Sequence, residues 1–326
     1  MAAPASTAAA PRRADRVFVG VALKVVATLC FAVMAVIVKK NSARYPVGEI
    51  MAFRAAPSLP MIAAWMAAHG EFPRALRTNR PREHVLRGFF GASGMICLLS
   101  ALYFLPLADA TAISFAAPLM AVVFAAIFLG ETVRVHRWTA VAVGFVGVMA
   151  MLWEKLGGGS NFTGAALALA AATSAASAVV MTRRLMTTES TDAIVFWFAC
   201  STTGVALAAL ALAQFWPAGA PLAHFFARSR WIEPTAADAG VLFFSGVISG
   251  VGQLSMTHSH RFAPAAVIAA FDYVSMIWAT AFGFLFFGAL PTVATLVGAA
   301  VVIGAGLYVI YREWRLGLAR RAAENG

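Results

Sequence analysis

Charge is scarce in this 326-residue sequence: 12% of its residues are Asp, Glu, Lys or Arg, while 61% are hydrophobic. A soluble domain carries about a quarter charged residues, so water is not the main solvent of this chain. Cysteine is scarce too. Cys30, Cys97 and Cys200 each stand alone inside an apolar run, which excludes a disulfide framework and a cysteine metal set. The 14 Asp and Glu are mostly isolated in loops, which disfavours a membrane-embedded enzyme working through gathered carboxylates. His258-x-His260 has no Cys or carboxylate at ligand spacing, so no metal is expected. No phosphate loop is present: Gly157–Gly159 runs into Ser-Asn-Phe rather than Lys-Ser/Thr, so ATP cannot drive work within this chain and no cofactor is expected. Segments outside the apolar runs are too short for a soluble domain that would read a signal or scaffold others.

Long apolar runs are what the sequence has in plenty. Ten are long enough to cross a bilayer core of roughly 30 Å: about 17–38, 47–69, 85–105, 109–129, 135–153, 162–182, 191–215, 238–257, 264–287 and 291–311. Helices satisfy every backbone group without water, whereas a barrel would show alternating ten-residue segments, so the expected fold is an all-α integral membrane protein. The formal charge of +11 would suit nucleic acid in a soluble protein; here the basic residues cluster in short connections and report orientation. Arg12, Arg13 and Arg16, Arg74 to Arg87, Arg134 and Arg137, Arg183 and Arg184, and Arg312 to Arg321 share one side if both termini are cytoplasmic. Lys39, Lys40 and Arg44 oppose that assignment. Residues 1–16, Ala-rich and basic, are expected to be a disordered cytoplasmic tail, and 313–326 a basic one.

The chain also repeats. PLADATAISFAAPLMAVVFAAIFLGE and the stretch from Pro106 to Trp153 that it opens are echoed about 155–158 residues later by RFAPAAVIAAFDYVSMIWATAFGFLFFGA and a Gly-rich final span. Five-span halves follow, 17–155 and 162–312, and an odd number makes the second enter the membrane inverted. These stretches, with KKNSARYPVGEIMAFRAAP at Lys39–Pro57 joining the first two spans, resemble the EamA family of the drug/metabolite transporter superfamily. The resemblance covers nearly the whole chain after the tail. It implies a secondary inner-membrane carrier of small metabolites, with a central cavity lined by spans one, three, four, six, eight and nine. Ala289 stands where many relatives carry Glu, so a paired acidic gate with Glu131 does not carry over.

Three charges lie deep inside the apolar runs, away from their ends: Lys24, Arg54 and Asp272. Each costs at least about 2.5–3.5 kcal/mol at the bilayer centre unless a partner, water or a function offsets it. At 1.5 Å per residue, Asp272 and Lys24 lie about 12 and about 11 Å from the same side, and Arg54 about 11 Å from the other. Asp272 is therefore expected to face the cavity and pair with Lys24, Arg54, a substrate cation or a proton; the alternative for Lys24 is to snorkel. Tyr273 and Gln253, mid-span with polar ends that need partners, join this set of substrate or proton-coupling candidates. Pro118 is a hinge candidate, in the repeat position of Tyr273. Glu131, beside Arg134, is a gate candidate or a local cap. Gly88, Gly91, Gly94 and the run Ala165–Ala178 read as helix packing. The expected function is export of amino acids or related compounds by alternating access, driven by a gradient. The alternative is uptake of a vitamin or nucleoside-like solute such as riboflavin or S-adenosylmethionine. The expected partners are a small-molecule substrate and the lipid bilayer, with a homodimer left open and nucleic acid excluded.

Overall fold

The computed structural model describes residues 13–70, 72–73, 76–130, 133, 135–153, 160–215, 230–263 and 265–324. Every regular element among them is helical. Span 1 is α1 (Arg13–Asn41), span 2 is α2 (Val47–Ala55) with α3 (Ser58–Ala68), span 3 is α4 (Pro81–Phe104), and span 4 is α5 (Leu107–Ser114) with α6 (Ala116–Leu129). Span 5 is α7 (Val135–Trp153), span 6 α8 (Ser160–Leu185), span 7 α9 (Thr191–Phe215) and span 8 α10 (Ala236–Phe262). Span 9 joins α11 (Ala265–Ala270), a 3-10 turn (Phe271–Tyr273) and α12 (Val274–Phe287), and span 10 is α13 (Val293–Glu324). Eight of these stretches are long and apolar enough to cross a membrane, and Arg137–Trp153 and Phe271–Phe287 are shorter apolar helices. The first helix starts at Arg13, inside the stretch expected to be a tail.

Prolines set several of the starts. Pro46 and Pro106 precede α2 and α5 in extended backbone, and Pro81 opens α4, where a residue with no N–H and a fixed φ costs the helix nothing. The ends of α6 and α12 fix the repeat. Both helices have 14 residues and both stop at a left-handed glycine, Gly130 at φ 65° and Gly288 at φ 61°. Only glycine holds that conformation without a steric penalty. The matched caps pair Ala116 with Val274, an offset of 158 residues. This corrects the expected register: Ser114 and Phe115, rather than Ala117 and Pro118, stand opposite Asp272 and Tyr273.

The main packing contacts obey the same symmetry. Span 3 packs on spans 6 and 7, span 8 on spans 1 and 2, span 4 on span 6 and span 9 on span 1, while 2 packs on 7, 4 on 9 and 5 on 10. Exchanging each span with the one five places away leaves this list unchanged. The two halves thus form one body around a pseudo-two-fold axis, and five spans per half make it an inverted repeat. Phe115 and Tyr273, equivalent by register, meet edge to face with centroids 5.3 Å apart; equivalent residues in contact lie beside the axis. Small residues let the inner helices approach. Ala165, Ala168, Ala172 and Ala176 are buried along span 6, Gly94 backs onto Ser174 of span 6, and Gly88 and Gly91 face Ser201 and Phe198 of span 7. Phe243, Phe244, Phe284, Leu285 and Phe286 face outward, as hydrocarbon surroundings allow.

Candidate functional site

Two of the helix breaks lie beside the axis, and one of them carries the acid. In span 9 the α-helix tightens into the 3-10 turn Phe271–Tyr273, placing Asp272 where backbone groups leave regular helical bonding. Span 4 breaks at the equivalent point, between Ser114 and Ala116. Pro118 lies beyond that break, in the first turn of α6, where helix N–H groups lack intrahelical partners in any case. Span 9 breaks without any proline, so Pro118 is not the cause of the discontinuity. Pro118→Ala is accordingly expected to keep solute flux within about twofold of wild type, because the break survives it. A larger loss in a transport assay would restore the hinge role to the proline.

Lys24 reaches across from span 1. Its Nζ lies 2.5 Å from Asp272 Oδ1 and 2.9 Å from the sulfur of Met256 in span 8. The lysine is fully buried, whereas the aspartate side chain is 40% exposed. Lys24 therefore does not snorkel, because a carboxylate at contact distance offsets its loss of water. His260, one turn beyond Met256, lies within electrostatic reach of both charges. The pair thus has one sealed member and one that is part exposed.

Arg54 lies elsewhere. It ends α2, is 4% exposed, and its Nε donates to Met34 Sδ at 2.8 Å; Met34 is ten residues, or about 15 Å, along span 1 from Lys24. With Gln253 it lines a small cavity between spans 2, 7 and 8. The structure therefore separates the predicted residues into two groups: Lys24 with Asp272, and Arg54 with Gln253. Tyr273 packs against Phe115 on one side and Gly306 of span 10 on the other. Glu131 and Arg134 lie outside the described residues. Among the described residues, no three His, Cys, Asp or Glu side chains could hold a metal ion together.

Polar contacts that the sequence reading did not single out stitch the end of the bundle where spans 2, 4, 8 and 10 begin. Tyr45 donates to Asp238 Oδ2 at 2.8 Å, with Arg44 beside the same oxygen at 3.4 Å. This bond raises the pKa of the Tyr45 hydroxyl, so the proton stays in place as a donor. Tyr103 donates to the Tyr45 carbonyl at 2.6 Å, Ile232 N to Glu49 Oε2 at 2.9 Å, and Thr295 to Asp109 Oδ1 at 2.8 Å. Lys39 Nζ donates to the Leu102 and Leu105 carbonyls at 2.7 and 2.5 Å, capping the end of span 3. Of the three basic residues that opposed the orientation assignment, Lys39 is thus bonded to two carbonyls and Arg44 lies beside Asp238. At the opposite end His258 Nε2 lies 3.0 Å from Asp192 Oδ1, joining spans 7 and 8. A signal for these contacts was available: Glu49, Asp109, Asp192 and Asp238 each stand in the first turn of a span, where the helix dipole favours an acid.

An inverted repeat of five spans, with discontinuous helices meeting at its axis and a half-open ion pair at one of the breaks, defines a membrane carrier of small solutes. The chain belongs to the EamA-like transporter family, which matches residues 18–153 and 162–312. It is 30% identical to the protein named pseudopaline exporter CntI of Pseudomonas aeruginosa (strain UCBPP-PA14), over 87% of this chain and 93% of that protein. The S-adenosylmethionine uptake transporter of Rickettsia prowazekii (strain Madrid E) is 26% identical over 81% of this chain and 83% of its own length. The riboflavin transporter of Rhizobium johnstonii is 28% identical over 74% of each. A crystal structure described only as that of a protein has the same fold, with a TM-score of 0.61 at 20% identity, covering 89% of this chain and 95% of that one. The chain is a multi-pass membrane transporter.

Proposed function

We propose that this transporter is a gradient-driven exporter of amino acids or related compounds in the inner membrane, working by alternating access, with Lys24 and Asp272 as its coupling site. The observation that carries this reading is the asymmetry of the pair. A carboxylate that is 40% exposed is reachable by a substrate ammonium or a proton, and either competes with the Lys24 ammonium for the same oxygens. Binding of the competitor releases a fully buried lysine charge, which the surrounding helices must then rearrange to accommodate. Binding and rearrangement are coupled in this way, as alternating access requires.

The ends of the bundle support the same mechanism. The connection after span 1 and spans 2, 3 and 8 are tied through Tyr45, Tyr103, Glu49 and Asp238 at one end, while Asp272 sits in the other half with its side chain part exposed. This is a conformer closed on one side. With both termini cytoplasmic, the orientation that the loop charges favour, the open half faces the cytoplasm, where an exporter loads. Uptake of a ring-bearing solute is the second reading. It draws on the aromatic pair Phe115 and Tyr273 beside the break and on the relatives named for S-adenosylmethionine and riboflavin.

Counterflow in proteoliposomes tests the reading. Vesicles holding the full chain are preloaded with one member of a panel of amino acids, S-adenosylmethionine and riboflavin, then given a trace of the same compound labelled. Transient accumulation of labelled amino acids above equilibrium is the expected result. Accumulation of riboflavin or S-adenosylmethionine alone would move the reading to the second class. A membrane enzyme would convert a compound without exchanging it.

A further inference from the structure

Arg54 is a buried cation without a carboxylate partner among the described residues. Its one directed contact is the thioether of Met34, which accepts weakly and carries no compensating charge. Arg87 shows what the fold does for a guanidinium that it means to satisfy. Arg87 donates to Thr182 Oγ1 at 2.8 Å and to the Ile194 carbonyl at 3.2 Å, and lies over the Phe198 ring at 4.5 Å. Phe198 also lines the cavity on which Arg54 borders, so both arginines neighbour span 7, in opposite circumstances. An always-protonated group held in this way calls for a negative partner that the described residues do not supply.

The cavity beside Arg54 is built to receive one. Besides Arg54, its polar lining is Ser58, Thr202, Ser249 and Gln253. Ser58 sends its proton back to the Ala55 carbonyl at 2.7 Å, and Thr202 to Phe198 and Ala199 carbonyls at 3.0 and 3.1 Å. The remaining polar groups of the lining are the Arg54 guanidinium, the Ser249 hydroxyl and the Gln253 amide. A planar fork beside a second donor matches a single carboxylate or a bare anion. The space is small, which rules out larger anions such as phosphate esters in this conformer.

We infer that Arg54 and Gln253 form a binding site for one compact monovalent anion, enclosed by spans 2, 7 and 8 and separate from the Lys24–Asp272 pair. The anion is either a free halide or the carboxylate group of a transported solute. The second source rests on the transport reading above; occupancy of the site does not. The site lies beside the Ala55–Ser58 break of span 2, so a bound anion ties span 2 to span 8.

The test is thermal unfolding of the full-length detergent-purified protein in sodium chloride, sodium acetate or sodium gluconate at constant ionic strength. Chloride or acetate is expected to raise the unfolding midpoint saturably over gluconate. The rise is expected to vanish in Arg54→Gln and to require severalfold more anion in Gln253→Leu. A response to acetate alone assigns the site to a carboxylate group, and a response to chloride assigns it to a halide-sized ion. Midpoints that are equal in all three salts would overturn the inference, as would a saturable rise that persists unchanged in both variants. If Arg54→Gln does not fold, Gln253→Leu keeps the cation and decides the matter by itself. The readout involves no transport, so this inference can fail while counterflow succeeds, and the reverse.

Discussion

Asp272→Asn is expected to abolish net transport, reducing counterflow by at least about tenfold, and to lower stability by about 3 kcal/mol, at the low end for a broken buried pair because one partner is part exposed. The two members of the pair are unequal. Neutralising Asp272 leaves the Lys24 ammonium at 0% exposure without the carboxylate charge that offsets its burial. Lys24→Met instead leaves a carboxylate that is 40% exposed rather than sealed in the protein, so its cost is smaller, about 1–2 kcal/mol. The double variant Lys24→Met/Asp272→Asn removes both charges and is expected to melt above Asp272→Asn alone. Thermal unfolding in one detergent fixes the order: wild type, then Lys24→Met and the double variant, with Asp272→Asn lowest. If both single variants lost equal stability and the double lost their sum, the two groups would not interact.

Gly298→Ala is the second large effect. A Cβ at 298 would stand 2.6 Å from the Gly147 carbonyl oxygen, and one at 147 would stand 2.8 Å from the Gly298 carbonyl. Neither oxygen can yield, because each belongs to a helix backbone. Spans 5 and 10 must therefore part, at about 1–3 kcal/mol or more for overpacking. Gly304, on the same helix, has nothing within 4 Å of its Cβ position. Gly304→Ala is expected to stay within about 1 kcal/mol of wild type. Equal melting temperatures for the two variants would mean that spans 5 and 10 do not pack through these glycines.

The spans were legible in the sequence because apolar length is a strong signal, and their limits hold to within a few residues except where basic ends extend the helices, as at Arg13 and beyond Arg312. The repeat was legible, but its register was not. AAPLMAVVFAAIF and the run after Tyr273 are nearly interchangeable small and apolar residues, so a slip of three costs little in similarity. The left-handed glycines that end both helices settle it. For Lys24 and Asp272, helix rise gave a common depth, while their contact depends on span 1 packing on span 9, which no local signal encodes. The same gap put Arg54 in range of Asp272 by depth alone; span 2 in fact packs against spans 7 and 8. The bonds made by Lys39 and Asp192 were not foreseen, for a different reason. Both residues stand at span ends, where charges are common, and only tertiary partners distinguish a committed side chain from a solvated one.

Accumulation under an imposed gradient, in proteoliposomes loaded with whichever solute the counterflow panel selects, tests the coupling role of the ion pair most directly. Wild type and the folded Lys24→Met/Asp272→Asn variant are compared at equal protein content. The wild type is predicted to concentrate the solute, and the double variant only to equilibrate it or not to move it. Concentration by the double variant at the wild-type rate would contradict the account.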